Sequence, residues 1–184
     1  MDWNSPKGVL RRGMGLERDG YKFYMEAADN ASDEQGAAMF RDLANQEVDH
    51  LKLLLVEYRA MDADEGWVPY AEAMDQLFDI DPADPELPGQ EPPEEYRLPV
   101  FTLDREVSLE GDIAALDFGL ETEDITRDLY AQGAEQTDDE RAREAYEFLV
   151  EQEEHHYELL DNTRNYLAEN QTWWDSEEYP FFIG

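Results

Sequence analysis

The sequence predicts an all-α protein, a four-helix bundle of two repeated helical hairpins joined by a long crossover. Three observations predict it. Four long segments place apolar residues at helical spacing, the second half of the chain repeats the first without a gap, and the stretch between the halves is too rich in proline to be one helix. The expected organisation is a single domain over residues 1–184, with helix pairs at 6–61 and 104–169, a crossover at 62–100 and an aromatic tail at 170–184.

The first helix opens at Ser5-Pro6, an N-cap followed by proline in the first turn, and runs to about Ala31. The second opens at Ser32, with Gln35 completing a capping box, and runs to about Met61. The third starts between Thr102 and Asp112 and ends near Gln136. The fourth opens at Thr137, with Glu140 as its capping-box partner, and ends near Glu169. Short turns within each pair make the partners antiparallel. The crossover holds Pro69, Pro82, Pro85, Pro88, Pro92, Pro93 and Pro99, with room for a short helix around Ala71–Phe78. Trp173-Trp174 and Phe181-Phe182-Ile183 make the tail too aromatic to float free, so it should pack on the bundle or on a neighbouring subunit.

Composition narrows the function classes. A formal charge of −33 accompanies 41% hydrophobic and 12% aromatic residues, which indicates a folded core under an acidic surface rather than a disordered acidic chain. Such a surface repels nucleic acid and anionic membrane and attracts cations. The absence of cysteine excludes disulfides, thiolate catalysis, iron–sulfur clusters and rubredoxin-type metal knots. Residues Met1 to Arg12 lack the apolar run of a signal peptide, and the run Leu53–Val56 is too short to span a bilayer, so a cytoplasmic location is expected.

The repeat carries the chemistry. Shifted by 106 residues, Gly13 falls on Gly119, Glu17 on Glu123, Tyr24 on Tyr130, Glu47 on Glu153, His50 on His156 and Leu53-Leu54 on Leu159-Leu160. In the second helix Phe40, Leu43, Glu47, His50 and Leu54 share one core-facing stripe. The fourth repeats it with Tyr146, Leu149, Glu153, His156 and Leu160. Glu17 lies on the stripe of Leu10 and Tyr24, and Glu123 on that of Leu116 and Tyr130. Four carboxylates gathered inside a bundle are costly unless compensated. Two divalent cations balance their four charges, and two neutral imidazoles complete the ligand set. An isolated Glu-x-x-His in so acidic a chain reads as a solvated helix face. Two in register, with glutamates at matching places on the other two helices, give the ligand pattern of ferritin-like di-iron and di-manganese bundles. Oxygen donors with two imidazoles suit iron or manganese.

Glu17-x6-Tyr24 and Glu123-x6-Tyr130, followed by Glu47-x-x-His50 and Glu153-x-x-His156, resemble the rubrerythrin branch of the ferritin-like superfamily over about residues 8–60 and 108–166. The resemblance implies a non-haem di-iron centre that reduces hydrogen peroxide or dioxygen, with two iron ions (manganese as the alternative) on Glu17, Glu47, His50, Glu123, Glu153 and His156. It also implies that Tyr24 and Tyr130 hydrogen-bond ligands across the bundle and act as the catalytic side chains; packing of core aromatics is the plainer account of them. Two departures matter. Without cysteine there is no rubredoxin module, so electrons must come from an external donor protein or from ferrous iron. Thr126 stands where rubrerythrins carry an extra glutamate, which weighs toward simpler ferroxidase chemistry. Gly13, Gly20, Gly119 and Thr126 fit either close helix packing or an access path for metal or oxygen species. Glu121, Asp124, Glu151, Glu154 and His155 fall off the ligand stripe and should face solvent or line a cation-attracting rim. The alternatives are an iron-storage protein and a metal-free interaction scaffold; a homodimer is expected, with no nucleic-acid or membrane partner.

Overall fold

A computed structural model of the chain describes residues 3–76, 78–84, 86–88 and 111–174. Its helices are α1 (Pro6–Asn30), α2 (Glu34–Asp62), the short α3 (Tyr70–Asp75), α4 (Asp112–Gln136) and α5 (Glu140–Asn170), and no strand occurs among the described residues. Shifting α1 by 106 residues reproduces the bounds of α4, and α2 and α5 start in the same register. None of these helices is long and apolar enough to cross a membrane.

Helix starts show where cap competition overrides a sequence signal. Ser5 caps α1 as expected, its hydroxyl accepting from the Gly8 N–H at 3.2 Å. Ser32 does not cap α2. Its hydroxyl bonds the Asp112 carboxylate and its N–H donates to the same group at 3.0 Å, which leaves the cap to Asp33, accepting from the Gln35 N–H at 2.9 Å. Thr137 likewise gives way to Asp139, which accepts from the Arg141 N–H at 3.0 Å while Thr137 Oγ1 accepts from the Asp139 N–H. In both repeats an aspartate next to the first turn wins because its charge also suits the helix dipole. α3 is shorter than the segment 71–78 and starts one residue earlier, directly after Pro69. α4 begins at Asp112 behind Gly111, whose φ of 91° favours glycine; the earlier part of the expected start lies outside the described residues.

α1 packs closely against α2 and α4, and α4 against α5, while α2 and α5 face each other across a layer of glutamate and histidine side chains. Above and below that layer lie two apolar clusters. One gathers Leu10, Met14, Leu54, Tyr130, Tyr146 and Leu149; the other Tyr24, Phe40, Leu43, Leu116 and Leu160. A polar layer sealed at both ends is thus built into the middle of the bundle.

Part of the tail is docked. Trp173 and Trp174 are buried with rings edge-on at 5.1 Å, and Trp173 Nε1 donates to Asp112 Oδ2 at 2.7 Å. The same carboxylate holds Ser32, so it ties the α1–α2 corner, the start of α4 and the tail together. Phe181, Phe182 and Ile183 lie outside the described residues. A Cβ on Gly36 would stand 2.4 Å from Trp173 Cζ2. Gly36→Ala is therefore expected to expel the indole and cost about 1–3 kcal/mol despite its better helix propensity, read as a lower Tm with red-shifted tryptophan emission.

The loop after α2 is tethered by Glu57, which is 1% exposed and whose Oε2 accepts from the Val68 N–H at 3.0 Å. Burial pushes its pKa up to about 7 against the opposing effects of that hydrogen bond and of Arg141. A folded pKa above the unfolded one contributes stability that is complete below about pH 4.5 and lost as pH rises through 7. Glu57→Gln keeps an acceptor for Val68 without the charge. Above pH 7 it should be more stable than the wild type by about 1–2 kcal/mol after allowance for solvent screening under a thin loop, with the advantage gone near pH 4.5 in urea titrations.

Candidate metal centre

All six expected side chains meet in the central layer. Glu17, Glu47, His50 and Glu153 bring one donor atom each to within 4.8 Å of one another, and so do Glu47, Glu123, Glu153 and His156. The two groups share Glu47 and Glu153. Glu153 approaches His50 Nδ1 with Oε1 at 3.3 Å and His156 Nδ1 with Oε2 at 3.5 Å; Glu47 reaches the same two atoms at 3.5 and 3.4 Å. Glu17 reaches only His50 at 3.4 Å, and Glu123 only His156 at 3.5 Å. The helical spacing of Glu-x-x-His produces this, one turn carrying a shared carboxylate and the next an imidazole. Glu47 and Glu153 thus approach both histidines, whereas Glu17 approaches His50 alone and Glu123 His156 alone.

The tyrosines lie where the hydrogen bonds across the bundle require them. Tyr24 Oη donates to Glu123 Oε1 and Tyr130 Oη to Glu17 Oε1, each from the opposite repeat and fully buried. Space for them is made by the glycines: a Cβ on Gly13 would stand 3.0 Å from Tyr130 Oη, and one on Gly119 3.4 Å from Tyr24 Oη and 3.0 Å from Leu160. Close packing therefore accounts for Gly13 and Gly119. Gly20 lies against Glu47, its Cβ position 3.4 Å from Cδ, whereas Thr126 in the matching place satisfies its hydroxyl on the Thr122 carbonyl at 3.1 Å. Glu121, Asp124, Glu151, Glu154 and His155 are exposed, as the stripe argument expects, and Arg127 joins Asp124 and Glu154 at 2.5 and 2.7 Å.

One partner was not foreseen. Gln46 Oε1 lies 3.2 Å from His156 Nε2; an N–H there fixes the tautomer that leaves Nδ1 free to bind a cation. The sequence holds the signal, since Gln46-Glu47-x-x-His50 recurs as Gln152-Glu153-x-x-His156.

The donor set fits a pair of divalent cations. Both histidine Nδ1 atoms, both oxygens of Glu153 and Glu17 Oε2 are buried at the middle of the layer without a hydrogen bond. Proton occupancy supplies a second way to neutralise the cluster. Burial drives Glu17 and Glu123 well above the ordinary carboxylate range, aided by the charge of Glu153. Burial also works against Glu47 and Glu153, yet contacts with the histidines, and with Glu17 for Glu47, hold both below that range. The imidazoles, which burial would disfavour as cations, are raised by the surrounding carboxylates, Glu153 foremost for His50 and Glu123 for His156. These directions favour protons on Glu17, Glu123 and the two imidazoles and charge on Glu47 and Glu153, which lowers the net charge of the layer. Protons as well as divalent cations therefore offset the charge of the gathered carboxylates.

Fold and cluster together define a ferritin-like helical bundle with a buried carboxylate–histidine layer suited to two metal ions. Residues 9–83 match the family model Rubrerythrin. The 106-residue repeat extends that pattern from the first hairpin to the second. No curated protein and no solved structure matches the chain.

Proposed function

We propose that the cluster holds two iron ions, ligated by Glu17, Glu47, His50, Glu123, Glu153 and His156, and that the protein is a di-iron oxidoreductase reducing hydrogen peroxide or dioxygen. The observation that carries this reading is the sharing of Glu47 and Glu153 between two four-residue donor groups. Ferrous ions held there would supply the two electrons that, with two protons, convert peroxide to two waters. The remaining work belongs to the chain. Tyr24 and Tyr130 hold one oxygen of Glu123 and of Glu17, which fixes the carboxylate planes and leaves Glu17 Oε2 free. Gln46 orients His156. The apolar clusters at either end exclude bulk water from the layer. With no cysteine in the chain, reducing equivalents come from a separate donor protein or from ferrous iron itself.

Anaerobic loading with ferrous ions followed by peroxide should give near-ultraviolet ferric absorption that is absent in Glu47→Ala and His156→Ala. Two bound irons with no absorption change would remove the redox reading. Thr126 favours the iron-oxidising branch, because it offers a satisfied hydroxyl where a further carboxylate could otherwise shift during turnover. Light scattering separates that branch from storage, since a particle of a few subunits cannot enclose a mineral.

A further inference from the structure

The 106-residue shift that makes the two donor groups alike also shows where they differ. Gln46 falls on Gln152, and each directly precedes a carboxylate shared by both groups. Gln46 is exposed on α2 yet reaches across to α5, where its Oε1 lies 3.2 Å from His156 Nε2. Its amide is held in that sense from behind, Nε2 donating to the Asp42 carbonyl at 3.5 Å. Gln152 is half-buried and makes neither bond among the described residues, so nothing equivalent reaches His50.

The difference falls on the atom that decides whether an imidazole can bind a cation. Both histidines turn Nδ1 toward the carboxylates, at 3.3–3.5 Å. A neutral imidazole carries one proton, so ligation through Nδ1 requires that proton on Nε2. For His156 an acceptor is already in place there, which fixes the tautomer and the ring plane and makes Nδ1 the better donor. His50 lacks that partner among the described residues, and its ring is held by stacking on His156 at 5.3 Å. It is also the more exposed imidazole, 4% against 2%, so the less ordered group is the one nearer solvent.

We propose that the two metal positions are unequal and that Gln46 is the positioning residue that makes them so: the Glu123–His156 position binds its ion more tightly and retains it, whereas the Glu17–His50 position binds more weakly and exchanges. The inference rests on the di-iron reading and adds a division of labour to it. An ion that arrives from solution and leaves again uses the His50 position, and a resident ion uses the His156 position.

The test is anaerobic calorimetric titration of the metal-free, full-length protein with ferrous ions. Repulsion between two ions would by itself separate two binding steps, so each position is measured alone. Glu17→Gln leaves the Glu123–His156 position intact and Glu123→Gln the Glu17–His50 position, and each keeps an acceptor for its tyrosine. The first variant should bind one ion at least about ten-fold more tightly than the second. Adding Gln46→Leu to Glu17→Gln should remove most of that advantage, whereas adding it to Glu123→Gln should change affinity by less than about two-fold. Gln46→Glu, which keeps an acceptor at His156 Nε2, should retain the advantage, a rescue that a purely structural role would not show. Because Gln46 is exposed, the Tm of the metal-free protein should stay nearly constant throughout. Equal affinities in the two single variants, the reverse order, or a Gln46→Leu effect that is absent or the same at both positions overturns the proposal and leaves two-ion binding standing. A wild type that takes up no pair of ferrous ions removes both.

Discussion

Loading the metal-free protein with ferrous or manganous ions is expected to raise its Tm by about 15–30 °C and to release up to four protons per pair of ions. The size follows from linkage. An ion held at about a thousand times its dissociation constant adds about 4 kcal/mol, and in a chain of this length each kcal/mol moves Tm by about 2–4 °C. The proton count follows from the cluster: Glu17, Glu123, His50 and His156 are all raised, and each must give up its proton to become a ligand. Raising pH therefore favours binding and lowering it restores the protonated, metal-free cluster. With two protons displaced per ion, apparent affinity should change about a hundred-fold per pH unit wherever all four groups are protonated in the free protein. Calorimetric titration in buffers of different ionisation enthalpy counts the protons, and scanning calorimetry with and without chelator reads the stability. Magnesium is the control for the acidic surface, since it screens charge but dehydrates reluctantly and suits all-oxygen sites. A Tm that moves equally with magnesium, or binding without proton release, would show that ions sit on the −33 surface rather than in the layer.

The buried carboxylate–histidine layer was legible because repetition removes ambiguity that periodicity alone leaves. Glu47 on a stripe of Phe40, Leu43 and Leu54 could be an exception; Glu153 on Tyr146, Leu149 and Leu160 makes the exception a pattern, and all eight side chains are buried. What stayed hidden depends on contacts between distant segments. The caps at Asp33 and Asp139 hinge on Asp112 claiming Ser32 and on Thr137 turning back to Asp139, neither a local property. The protonation pattern arises only when six groups desolvate one another. Trp67 lies in an irregular segment, where burial has no period to betray it, whereas Glu57 continues the α2 stripe of Leu43, Glu47, His50 and Leu54. The shift of 106 nonetheless pairs Trp67 with Trp173, outside the four long helices.

Replacing a shared carboxylate should cost both ions, whereas replacing a terminal one should cost one. Glu153 touches both histidines, one with each oxygen, and Glu47 also reaches both, so either truncation removes a donor from each four-residue group. Glu17 belongs to one group and Glu123 to the other. Since even outer partners of metal ligands are worth about 10–100-fold in affinity, losing a direct donor from both positions should weaken each ion by more than about 100-fold. Glu153→Ala is thus expected to bind fewer than one equivalent where the wild type binds two, and to lose the whole metal-induced rise in Tm. Glu17→Ala should retain about one ion on Glu47, Glu123, Glu153 and His156 and about half of that rise. The Glu17 truncation also strands the Tyr130 hydroxyl in the core, so a Glu17→Gln variant, which keeps an acceptor for it, separates lost ligation from lost packing. Elemental analysis after dialysis gives the stoichiometries directly. Equal losses from Glu17→Ala and Glu153→Ala would mean that the four carboxylates act as one undivided cage, and the assignment of Glu47 and Glu153 as bridges would have to be abandoned.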